Sequence, residues 1–149
     1  MTENDLVAVG ELAAVLDVDE SHLRALAGGP FALDADDNMR LRVALGAAVL
    51  VSLGISQALE PDLSVYVAVE AANGAELGGS KALLVAWKGP KPNWAWFDGP
   101  ATHPPTDSRE GFGSPLRRPM VLVPADEMFG DLAAAIVAHR ERSAGARAN

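Results

Sequence analysis

Apolar residues along the chain change their spacing several times, and each change marks an expected element. In ELAAVLDVDESHLRAL, residues 11–26, Leu12, Val15 and Leu16 share one helical face and Leu23 and Leu26 another. Asp17-Val18-Asp19 breaks the pattern between two short helices, and Asp17 or Asp19 is suited to cap the second with a carboxylate. Gly28-Gly29-Pro30 stops that helix. FALDADDN, residues 31–38, has room only for a tight hairpin or turn, after which Asp34 is placed to cap a helix from about Ala35 to Leu53, with Gly54 as its stop. Leu41, Leu45, Ala48 and Val49 form the inner stripe of that helix, and Met39, Leu50 and Leu53 widen it, so burial on more than one side is expected.

Beyond Ser56 the periodicity divides. Leu63, Val65, Val67 and Val69 alternate as in a strand, whereas Leu59, Leu63, Tyr66 and Glu70 follow a helix that tolerates Pro61 in its first turn and ends at Asn73-Gly74. The helix is the preferred reading. Residues 82–87 and 93–97 predict two strands joined by KGPKP as a hairpin. With Lys88 opposite Asn93, Val85, Trp87, Trp94 and Trp96 would share a face. A long connection over residues 98–119, rich in proline, glycine and serine, has the composition of a functional or mobile loop. A third strand, 120–123, and a helix from about Asp126 to Arg142 follow, with Met128, Leu132, Ala135, Ile136 and His139 facing inward. The fold class expected is α+β, with a helical head over residues 1–56 and a lobe over residues 57–149.

Charge changes the picture most at the head. Residues 1–38 hold nine acids against one base, Arg24, while residues 39–149 hold eleven of each, so the net charge of −8 lies entirely in the first 38 residues. That sign repels a phosphate backbone. The chain has no cysteine, which excludes disulfides and thiolate chemistry and suits a cytoplasmic protein. Its longest apolar run, residues 43–53, falls short of the roughly 20 residues needed to cross a bilayer, so no membrane partner is expected.

The first helix pair has the features of a helix-turn-helix: Ala13 is a small residue for the crossing, and Leu12, Leu16, Val18, Leu23 and Leu26 form an apolar lock. The turn position usually given to glycine is Asp17, an uncomfortable residue in a left-handed conformation. Together with LDADDNMRLRVALGAAVLVSLGIS, residues 33–56, this segment resembles the winged helix-turn-helix of MerR-like regulators. The resemblance covers about the first 56 residues. It implies a DNA-binding transcription regulator of bacterial or phage type acting as a homodimer, with Asp19, Glu20, Ser21, Arg24 and Ala25 toward the major groove and a wing near residues 31–38.

Within that surface only Ser21 and Arg24 are natural partners for bases or phosphates, and Arg40 and Arg42 are the further cations that could converge beside the second helix. The acids support an alternative function. Asp19, Glu20, Asp34, Asp36 and Asp37 would contact a basic protein partner, or imitate the charge of DNA, in a protein-interaction module.

Trp87, Trp94 and Trp96 are expected as core or interface aromatics, in preference to a stacking platform. Arg109, Arg117 and Arg118 make the long loop locally basic. His22, His103 and His139 lie too far apart for metal-ligand spacing, and no phosphate-binding glycine loop or nucleophile motif is present, so no metal, cofactor or enzymatic activity is expected.

Overall fold

The computed structural model describes residues 1–26, 31–56, 59, 61–88, 91–98 and 120–149. The chain is an α+β protein. Its elements run β1 (Leu6–Ala8), α1 (Val9–Leu16), α2 (Glu20–Leu26), β2 (Asn38–Arg40), α3 (Leu41–Ser56), α4 (Pro61–Gly74), β3 (Lys81–Lys88), β4 (Lys91–Asp98), β5 (Met120–Val123) and α5 (Ala125–Ala148).

In the head, β1 pairs antiparallel with β2, placing Val7 opposite Met39. Between them α1 and α2 are joined by a three-residue turn. Asp17 ends α1 in the left-handed region at φ 55°, and its N–H donates to the Ala13 carbonyl. An L side chain there is strained, and aspartate is one of the few that tolerates it. Asp19 serves α2 through its main chain, since its carbonyl accepts from the His22 and Leu23 N–H groups. Leu12, Ala13 and Leu23 are buried, while Val15, Leu16, Val18 and Leu26 pack around them half-buried.

Asp34 does not cap a helix. Its carboxylate accepts from the Asp36 N–H at 2.9 Å and the Asn38 N–H at 2.8 Å, and its own N–H donates to the Asn38 carbonyl. An aspartate bonding the backbone two and four residues on makes a tight turn, and here it delivers β2. α3 therefore starts only at Leu41. Its first amides, on Leu41 and Arg42, donate to the carbonyls of Asp5 and Glu3, so the N-terminal segment supplies the cap. The helix also runs past Gly54 to Ser56.

Residues 61–74 are helical, with Ser64, Val67, Ala68, Ala71 and Ala72 buried at helical spacing. Gly46 allows the close approach of α3: a Cβ there would overlap the Phe31 ring and stand 3.1 Å from the Ala72 Cβ.

The second sheet has the antiparallel order β4-β3-β5. Lys88 pairs with Lys91, Val85 with Trp94 and Leu83 with Trp96. That register differs by two residues from the expected opposition of Lys88 and Asn93. A shift of two preserves the face, because side chains alternate with a period of two, so Val85, Trp94 and Trp96 do lie on one side. Leu84, Ala95, Phe97 and Leu122 gather on the other.

In α5 the buried residues are Ala125, Asp126, Phe129, Leu132, Ala133 and Ile136. The inward face is thus rotated from the expected stripe, and Met128, Ala135 and His139 lie at its half-buried margin. One cluster of buried side chains runs from Val7 in the head to Ile136 in α5. No helix among the described residues is long and apolar enough to cross a membrane.

Among the described residues Asp126 is a carboxylate sealed in the core, 1% exposed. Its two oxygens accept from the Glu76 N–H at 2.6 Å and the Lys81 N–H at 2.7 Å, which ties the α4–β3 connection to the start of α5. A Cβ on Gly79 would overlap this carboxylate, so the glycine makes room for the tie.

Candidate interaction surface of the head

The solvent face of the helix pair is formed by the turn and the outer side of α2. Asp19, Glu20, Ser21, His22, Arg24 and Ala25 are exposed, and Ala13, Ala14, Asp17, Val18, Asp19 and His22 line an open groove along the turn. Asp34, Asp36 and Asp37 are exposed on the neighbouring turn before β2.

Arg24, the basic residue of α2, is engaged by both groups of acids. Its Nε and Nη2 donate to one oxygen of Glu20 at 2.9 and 2.7 Å. Nη2 also donates to Asp37 at 3.0 Å, and Nη1 lies 2.9 Å from the other Asp37 oxygen. The Asp37 and Glu20 carboxylates hold the guanidinium more firmly protonated than usual, and Arg24 in turn holds the Asp37 carboxyl below its ordinary range. Glu20 leans on α1 at Gly10, where a Cβ would come within 3.0 Å of its carboxylate. Asp37 is fixed by its backbone: it sits at φ 61°, and its carbonyl accepts the Val9 N–H at 2.9 Å.

Arg40 and Arg42 do not join Arg24. Arg40 is exposed, and among the described residues it makes one long contact, 3.4 Å, to the Asn4 side chain. Arg42 binds the Ala72 and Asn73 carbonyls near the end of α4, pairs with Glu3 and lies over the Phe129 ring at 5.5 Å. Its guanidinium therefore knits α3, α4, α5 and the N-terminal segment together, and it lowers the pKa of Glu3.

The C-terminal helix also grips the head. Arg140 donates to both oxygens of Glu11, at 2.6 and 2.9 Å, and to the Leu6 carbonyl at 2.8 Å. Hydrogen bonding to Arg140 lowers the Glu11 pKa. A depressed carboxylate contributes stability that is present above its unfolded pKa, near 4.3, and disappears as pH falls through the lower folded value. Glu11→Gln should therefore cost about 1 kcal/mol at neutral pH, an amount already discounted for the half-exposed arginine. The difference from the parent protein should shrink steadily in urea melts taken below about pH 4.

The tryptophans belong to the lobe. The Trp96 indole N–H donates to Glu70 at 3.0 Å, Lys81 stands 5.8 Å over the ring, and a Cβ at Gly74 would overlap it. Trp96 packs half-buried against the core, whereas Trp94 is 40% exposed. The Trp87 side chain, the loop residues 99–119 and Arg109, Arg117 and Arg118 lie outside the described residues. Among the described residues no group of three histidine, aspartate or glutamate side chains could hold a metal ion. Compared with protein-family models and with curated proteins, the chain finds no match.

Proposed function

We propose that this protein is an interaction module whose acidic head binds a basic surface on a protein partner, on a scaffold similar to the helix-turn-helix of transcription regulators. The observation that carries this reading is the engagement of Arg24 by Glu20 and Asp37. A helix that reads DNA offers guanidinium forks to bases and phosphates. Here the fork on α2 is filled from within, and the groups left outward beside it are Asp17, Asp19, Asp36 and Ser21. Arg42 is occupied by the core, which leaves Arg40, at the end of β2, as an exposed cation of the head.

A DNA-binding regulator acting as a homodimer is the second reading. The short turn at Asp17 between two helices, flanked by the β1–β2 ribbon, favours it.

Charge reversal separates the two. If the acids are the contact, Asp19→Lys with Glu20→Lys abolishes retention of a basic partner that the parent protein holds. If α2 docks in the major groove, the parent protein itself binds duplex DNA with affinity that falls steeply as salt rises, and the same variant binds it more tightly.

A further inference from the structure

We infer that Glu20, Arg24 and Asp37 form an autoinhibitory clamp, which withholds the cation of α2 from the phosphate backbone of DNA. This goes beyond the choice of protein partner, since it concerns what the head is prevented from binding.

The clamp has three properties that a chance surface ion pair lacks. It closes on the guanidinium from two elements: Glu20 reaches it from one turn earlier in α2, and Asp37 from the turn before β2. Together they occupy Nε, Nη1 and Nη2, the whole fork that would otherwise grip a phosphate. Second, Asp37 is positioned in advance. Its left-handed backbone, the bond from the Val9 N–H to its carbonyl and the bond from its own N–H to Asp34 at 3.2 Å set its place independently of Arg24. Third, the three side chains stay 41–54% exposed, so a ligand can reach the clamp and compete for either half. A phosphate would have to displace two carboxylates, while a basic side chain that took over Glu20 or Asp37 would open one side of the Arg24 fork. The clamp thereby couples engagement of the acids to the availability of the cation.

The test uses full-length protein and a short mixed-sequence DNA duplex, followed by fluorescence anisotropy from about 50 mM salt upward. Glu20→Gln with Asp37→Asn removes both charges and keeps both shapes, and asparagine tolerates the left-handed position. This variant should bind the duplex saturably, about threefold or more tightly than the limit that the parent's titration sets. Adding Arg24→Ala should erase the gain and lower the salt slope by about 0.9, the signature of one lost phosphate contact. Asp19→Asn with Asp36→Asn makes the same charge change without touching Arg24 and should give a smaller gain. Asp37→Asn alone, which disturbs the head least, should show part of the effect if the double variant melts early. No gain in either clamp variant, a gain that survives Arg24→Ala, or an equal gain in the Asp19/Asp36 variant would overturn the clamp. Loss or retention of a basic protein partner is a separate measurement and bears on the acidic surface alone.

Discussion

Asp126→Ala lowers the unfolding free energy by about 3 kcal/mol in urea denaturation, with the midpoint moved and the slope unchanged. The size follows from what the carboxylate does. It is nearly inaccessible to solvent, and each oxygen accepts a backbone N–H, from Glu76 and from Lys81. Alanine leaves both part-buried donors without their acceptor, and a donor left unsatisfied away from water costs about 1–3 kcal/mol. Asp126→Asn should cost less, about 2 kcal/mol, because one amide oxygen remains and the new NH2 meets an N–H donor. If both variants melted like the parent, the tie between the α4–β3 connection and α5 would not contribute to the fold.

Arg42→Ala has the next largest expected effect, about 2 kcal/mol of stability. The substitution removes the donors to the Ala72 and Asn73 carbonyls, the partner of Glu3 and the cation over Phe129. Arg42→Lys should recover little, since a single ammonium cannot fork between two carbonyls and a carboxylate while keeping its charge over a ring. The prediction separates two roles for this residue. A phosphate contact would lower the salt slope of duplex binding by about 1 and leave the melting curve unmoved, whereas the structural role moves the melting curve and leaves the salt slope as it was.

Much of the fold was legible in the sequence because it rests on local pattern. The strand β5 has the bounds expected from its apolar run, and the hairpin residues Val85, Trp94 and Trp96 share a face even though the register differs by two, because face depends only on parity. For residues 63–70 the sequence permits both periods, and burial of Val67, Ala68 and Ala71 decides for the helix. Asp34 shows where pattern fails. An aspartate that captures backbone N–H groups has the same signature in a helix cap and in a tight turn, and only the β1–β2 pairing, which draws Asn38–Arg40 into a ribbon, distinguishes them here. In α5 the expected stripe took Met128 in place of Phe129, a small rotation that moves the inner face of a helix.

The candidate surface was legible as a charge count and illegible as a set of partners. Nine acids around Arg24 could be counted, but whether Arg24 faced outward or folded back on Glu20 and Asp37 depends on where the turn before β2 is placed. Arg42 with Glu3 and Arg140 with Glu11 are separated by 39 and 129 residues, distances over which spacing carries no information. The long-range pairs commit cations that a sequence reading leaves free, together with the acids Glu3 and Glu11, so the outward negative charge of the head is carried by its exposed turns at Asp17, Asp19 and Asp36.

The most direct test of that conclusion is the affinity of the unmodified protein for duplex DNA at about 50 mM salt, where non-specific attraction is strongest. An acidic interaction head predicts no saturable anisotropy change. Saturable binding that weakens steeply and linearly in log salt would contradict it and return the head to the readers of DNA.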